Sequence, residues 1–209
     1  MSTTRARLNP LAACVLDLLR QHPMHPYEMR TTIHQCEHDH LVRIRGASLY
    51  DTVDRLAREG LIEATETSRE GRRPERTVYT ITDAGSGELV HWLREALARP
   101  INEYPQFAAA VAFVCGLEKK EVVELLRRRM VELEAAIAAT DVKLRVTVDE
   151  LKLPRILVIE AEYLREMERA ELEWVRKLVR ELVETDLWPD PDAIPRLIAE
   201  FQRRSGGGP

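Results

Sequence analysis

The side chains with the most chemistry to offer lie between positions 43 and 85. Arg43 and Arg45 come first. A segment over 48–59 follows, with Leu49, Val53 and Leu56 at i, i+4 and i+7, the spacing of one buried helical stripe. At about 100° per residue the opposite side of that helix carries Ser48, Tyr50, Asp51, Asp54, Arg55 and Arg58, with Thr52 at its margin. Hydroxyls and guanidinium groups on one short face are what base edges and phosphates accept in a duplex groove. Arg55 is the candidate base reader, because a guanidinium pairs bidentately with guanine. Ser48, Tyr50, Thr52 and Arg58 are assigned to bases or phosphates without discrimination. Asp51 and Asp54 repel phosphate, so they accept from cytosine amino groups, orient the arginines, or stand off the DNA.

The elements that must position these groups are legible around them. Ser48 is a suitable N-cap and Gly60 a suitable C-cap for the helix. Segments 61–67 and 76–82 are rich in Thr, Val, Ile and Tyr and read as two strands, with Thr77, Tyr79 and Ile81 on one face. The turn between them, SREGRRPE, carries Gly71 and Pro74. Arg69, Arg72, Arg73 and Arg76 cluster in and beside it, placed for phosphates or a minor groove. Helix, hairpin and helix with arginines at the hairpin tip make a winged helix-turn-helix.

Three stretches carry a resemblance. PMHPYEM (23–29), SLYDTVDRLAREGLIEA (48–64) and GRRPERTVYTITDAG (71–85) are similar to the PadR family of transcriptional regulators, over about residues 8–92. The remainder resembles the longer, helical C-terminal type of that family. Pro26 departs from it, since many members carry Gly before the Tyr-Glu pair. The resemblance implies a homodimeric repressor released from its operator by a small ligand, often phenolic or otherwise aromatic, or by another signal.

Upstream, residues 8–21 form a first helix, with Leu11, Val15, Leu18 and Leu19 inward and Asn9 before Pro10 at its start. A second helix spans 27–35, with Met29 and Ile33 inward. Tyr27 is open to either DNA backbone or core. HQCEHDH then offers His34, Cys36, His38 and His40 as metal ligands, which leaves a metal-responsive repressor as an alternative. The spacing lacks the paired pattern of a zinc finger, so the primary reading is a polar loop with no bound metal and no cofactor.

Thr82 caps a fourth helix through about Ala98, whose apolar face of Leu89, Trp92, Leu93, Ala96 and Leu97 is wider than one domain needs. The organisation expected is a DNA-binding domain over 1–98, a linker over 99–106, a helical dimerisation domain over 107–204 and a disordered tail over 205–209. The fold class is mainly α with a small β-hairpin wing. Segment 107–116 is apolar nearly all round and predicts a buried helix. Val122, Leu126, Met130, Leu133, Ile137, Leu144, Val148 and Leu151 form one long stripe, interrupted by Asp141. Leu157, Leu164, Met167, Trp174, Leu178 and Leu182 form another. One helical hairpin cannot cover both stripes and an apolar helix, so a second copy is required, and two-fold dimers are the commonest solution.

Trp92, Tyr104 and Phe107 stand near the joint between the halves and are the candidate effector-binding side chains, with plain core as the other reading of Trp92.

Composition narrows the classes. The 209 residues hold 31 basic and 35 acidic side chains, a slightly negative balance that a local basic patch overrides on DNA. No run is apolar enough to span a bilayer and no signal peptide is evident. Cys14, Cys36 and Cys115 have no paired spacing, which suits a reducing cytoplasm. No Gly-rich phosphate loop, metal helix or nucleophile elbow points to an enzyme. The partners implied are double-stranded DNA bearing an inverted repeat, a second copy of the chain and a small-molecule effector. A winged-helix adaptor without DNA binding is the remaining alternative.

Overall fold

The computed structural model describes residues 8–36, 41–42, 48–68, 76–101, 103–190 and 193–205. The chain forms two compact units, residues 1–103 and 104–209, divided inside the segment read as a linker.

The N-terminal unit builds its helices from local signals. Helix α1 (Pro10–Gln21) begins where Asn9 accepts the Ala12 N–H at 2.8 Å. Helix α2 (Pro26–Gln35) begins with a reciprocal cap. The His25 ring nitrogen accepts from the Tyr27 N–H, and the Glu28 carboxylate accepts from the His25 N–H at 2.9 Å. Pro26 therefore sits in the first turn, where a missing N–H costs nothing. Tyr27 is exposed. Leu16, Met29, Ile33, Leu49, Leu56, Ile62 and Leu89 are fully buried in one core.

Helix α3 (Ser48–Arg58) ends in a tight knot. Gly60 adopts φ +71°, and the N–H groups of Gly60 and Leu61 donate to the carbonyls of Ala57 and Leu56, the paired bonds of a Schellman ending. Strands β1 (Ile62–Ser68) and β2 (Arg76–Ile81) then pair antiparallel, with an irregularity between Ala64 and Glu66. Met24 adds a short bridge to Tyr79, with both backbone bonds at 3.0 Å. Thr82 ties the ends together. Its hydroxyl donates to the Gly60 carbonyl at 2.8 Å and accepts the Gly85 N–H at 3.0 Å, opening α4 (Asp83–Ala98). Gly85 lies so close that a Cβ there would meet the Leu61 carbonyl oxygen at 2.0 Å.

The C-terminal unit is a helical hairpin. Helix α6 (Lys119–Leu144) runs into a π-helical turn at Arg145–Glu150, and α7 (Ile159–Glu184) returns along it. Val122, Val123, Leu126, Val175, Val179 and Leu182 form the core at its base. Helix α8 (Ile194–Ser205) closes the described chain, and the rest of the tail lies outside it.

Helix α5 (Gln106–Ala112) is not a buried helix: none of its residues is buried and Phe113, just after it, is 78 % exposed. An all-round apolar surface has more area than one hairpin can cover. The stripe read over 157–182 holds at its end, where Leu182 is buried and Leu178 packs on the same core, and is displaced before it. Ala161, Leu172, Val175, Val179 and Leu182 face α6, whereas Leu157, Met167 and Trp174 are exposed. Helix α7 carries two apolar faces, and spacing alone merged them. On α6 the expected stripe holds at Val122 and Leu126 and is half-buried beyond, with Leu151 exposed.

Asp141, the interruption on α6, has a partner. Its carboxylate accepts from Arg165 at 2.8 Å and from Arg169 at 3.1 Å across the hairpin, and Glu134 accepts from Arg176 at 2.6 Å. The bond from Arg165 is the main reason the Asp141 carboxyl titrates below its ordinary value, with the nearby charges of Arg169 and Arg165 adding to it. Burial pushes the Cys14 thiol up to about 11, aided by Asp17 and Cys36, so it stays protonated in α1.

Two outcomes are expected. Gly85→Ala overpacks the junction of α4 with β1 and lowers stability by about 1–3 kcal/mol, read from thermal or denaturant unfolding. A lowered carboxylate pKa contributes stability above its unfolded value and loses it as pH falls through the folded value. The melting temperature of the C-terminal unit therefore falls below about pH 4, and Asp141→Asn flattens that fall.

Candidate nucleic-acid interface

Burial of Leu49, Val53 and Leu56 fixes the rotation of α3 about its axis. The residues left outward are Tyr50, Asp51, Asp54 and Arg58, all exposed, with Ser48 and Arg55 half-buried at the edges. Thr52 departs from its assignment. It is 7 % exposed, and its hydroxyl donates to the Ser48 carbonyl at 2.7 Å. At the margin of the polar face, a hydroxyl that satisfies its own helix backbone turns inward. Thr52 therefore shapes the start of α3 and offers no group to a ligand.

Arg55 is held in place. Its guanidinium donates to the Glu59 carboxylate, 3.2 Å away and one turn on, with both side chains about three-tenths exposed. The pair keeps the guanidinium extended along the helix surface. To read a base it must exchange or share this carboxylate, which makes Glu59 a positioning residue that the sequence reading missed. An acidic residue four positions after a candidate reader was the signal for it.

Asp54 is felt electrostatically at β2. Burial chiefly raises the Tyr79 hydroxyl pKa, and the Asp54 charge raises it further. Of the basic wing, the strands are described and the tip is not. Arg69, Arg72 and Arg73 lie outside the described residues, as do Arg43 and Arg45, and of Arg76 only the backbone at the start of β2 is described.

The other candidates divide between the units. Trp92 is half-buried against the N-terminal core. Tyr104 is 83 % exposed, with φ +50°. Phe107 packs in the C-terminal unit, its ring under the Arg129 guanidinium at 3.7 Å and edge-on to Trp174 at 6.0 Å. Arg129 in turn donates to Glu171. Both the face and the edge of Phe107 are thus committed to its own unit, and Arg129 is a partner the sequence reading did not name. Among the described residues no cluster of His, Cys, Asp or Glu could hold a metal, and His38 and His40 lie outside them.

Residues 15–91 match the model of the transcriptional regulator PadR-like family. The negative transcriptional regulator PadR of Bacillus subtilis strain 168 is 25 % identical over 128 residues, 61 % of this chain and 69 % of that protein. The crystal structure of Bacillus subtilis PadR in complex with operator DNA superposes with a TM-score of 0.64 at 20 % identity, covering 84 % of this chain and 98 % of that one. The structure of the same protein with p-coumaric acid gives 0.66 at 19 %, covering 84 % and 100 %. That of smu.1604c from Streptococcus mutans UA159 gives 0.59 at 20 %, covering 80 % and 97 %. At these identities the structures establish a shared fold.

Arg55→Ala is expected to cost about 1–3 kcal/mol on a specific duplex and to relax one position of the site, while non-specific binding changes little. Competition binding against permuted duplexes measures it; an equal loss on every sequence contradicts base reading.

Proposed function

We propose, from the premise that the N-terminal domain of this chain belongs to the PadR-like family of transcriptional regulators, that the protein is a dimeric repressor released from its operator by a small ligand. The observation that carries the reading is the outward polar face of α3, locked by a fully buried opposite stripe and followed directly by a hairpin. In this arrangement α3 enters a major groove and the wing arginines 69, 72, 73 and 76 grip the flanking backbone or minor groove. Arg43 and Arg45 clamp phosphates before the helix. Tyr50, Arg55 and Arg58 supply base and phosphate contacts, with Ser48 at the helix start.

The dimer is supported by the surface the hairpin leaves uncovered. Ile159, Tyr163, Met167 and Trp174 are exposed along one side of α7, spaced as a second helical stripe. Two recognition helices related by a two-fold axis read an inverted repeat, with half-sites about 34 Å apart. Occupancy of the operator excludes polymerase.

Release requires a ligand that prefers one dimer geometry to another. Trp92, half-buried beside the N-terminal core, is the side chain we assign to an aromatic effector. PadR of Bacillus subtilis has been crystallised with p-coumaric acid, an aromatic acid of this kind. The protein acts where its DNA is, in the cytoplasm, and no helix among the described residues is long and apolar enough to cross a membrane.

The test is a salt titration of binding to duplexes from upstream of the protein's own gene. Replacing Arg72 and Arg73 together by Ala should flatten the slope of log affinity against log salt by about 2. Aromatic carboxylic acids should weaken operator binding about tenfold, with the effect lost in Trp92→Phe. Salt-independent binding, or none to any duplex, contradicts the reading.

A further inference from the structure

The charged side chains of α3 are Asp51, Asp54, Arg55 and Arg58. The buried stripe of Leu49, Val53 and Leu56 sets where each of them stands. At about 100° per residue, Asp51 and Arg58 lie within about 15° of the direction opposite that stripe, and Asp54 and Arg55 about 50° to either side. Asp51 occupies the first turn and Arg58 the last. A recognition helix meets base edges with its N-terminal residues. There Ser48 is at the edge of the face, and Thr52 has turned inward to its own backbone. The group that faces the groove floor most directly is therefore the Asp51 carboxylate. It is also uncommitted. Arg55 has a carboxylate one turn away on either side, at Asp51 and at Glu59, and it pairs with Glu59. Among the described residues, neither the Asp51 nor the Asp54 carboxylate hydrogen-bonds or pairs with a cation. With the Arg55–Glu59 pair neutral, Asp51 and Asp54 outweigh Arg58, and the outward face is net negative. Beside phosphates such a face repels, so what it contributes is selection among sequences rather than affinity.

We propose that Asp51 reads a cytosine in each half-site, its carboxylate accepting from the N4 amino group. The proposal rests on the operator reading above and names a base within it. A carboxylate only accepts hydrogen bonds. In the major groove guanine shows two acceptors, thymine an acceptor and a methyl group, and adenine a donor beside an acceptor. Cytosine alone shows a donor and no acceptor. At guanine or thymine the Asp51 carboxylate gives up water to face oxygen or nitrogen lone pairs. At adenine one carboxylate oxygen finds N6 while N7 repels the other. Asp51 thus rejects three bases as well as selecting the fourth.

The test is selection from a library of randomised duplexes at fixed salt, with the full chain as wild type, Asp51→Ala and Asp51→Asn. Both substitutions fall on an exposed side chain and leave the core untouched. The wild-type pool should hold cytosine at one dyad-related position, enriched at least about tenfold over any other base. Asp51→Ala should lose that preference, while the position that Arg55 reads stays fixed. Asp51→Asn should replace cytosine by adenine there, because a carboxamide pairs with adenine N6 and N7 together. On poly(dA)·poly(dT), which holds no cytosine, Asp51→Ala should bind more tightly than wild type by a factor of about 2–5, the size of one exposed charge contact. A selected pattern identical in all three proteins overturns the cytosine reading and leaves the operator intact. So does a preference lost in Asp51→Ala at a base other than cytosine. A wild-type pool with no fixed position overturns the operator reading itself, and the role of Asp51 with it.

Discussion

The seating of one short helical stripe decides what the N-terminal unit presents. Leu49, Val53 and Leu56 are fully buried in the core that α3 shares with α1 and α2. Full burial of three such side chains contributes about 5–9 kcal/mol, comparable to the whole stability of a small domain. Rotating α3 by one residue would turn this stripe about 100° toward water. Its polar face is therefore held outward as firmly as the domain is folded. The knot of Gly60, Leu61, Thr82 and Gly85 then carries that orientation into the hairpin. Recognition helix and wing move as one body because the same few backbone atoms end α3, pair with β2 and start α4.

The C-terminal unit solves a different problem. Helices α6 and α7 must pack in one register. Asp141 and Arg165 interrupt the two stripes opposite one another, 2.8 Å apart. Sliding by a turn would break this pair; with Asp141 about two-fifths exposed, the loss is small, so the pair biases the register and the apolar seam sets it. Polar cross-bridges at Glu134–Arg176 and Asp141–Arg169 lie along the same seam. The apolar surface this hairpin does not use, on α5, on the outer side of α7 and on α8, is what remains for assembly.

Local signals in the sequence carry most of the N-terminal unit. Asn9, Gly60 and Thr82 are caps whose chemistry is independent of tertiary context, and Leu49, Val53 and Leu56 are strongly periodic. What escaped was non-local. Thr52 lies on the boundary of the polar face, where helical angle alone cannot say whether a hydroxyl looks out or bonds back to Ser48. The Arg55–Glu59 pair was present in the spacing but passed over in favour of a free guanidinium. On α7, Met167 and Trp174 fall in with the inner stripe by spacing because two apolar faces on one helix produce overlapping periods. Asp141 looked like a defect because its partner lies 24 positions away. Helix α5 was read as buried from its composition, although burial depends on whether a covering surface exists.

The central claim is that two copies of the α3 face, held rigidly outward, read an inverted repeat. Hydroxyl-radical footprinting of the operator tests it most directly. The account predicts two protected segments related by a dyad, about 34 Å apart along the duplex, with flanking protection where the wings lie. A single unsymmetrical segment, or protection spread evenly along the fragment, contradicts it.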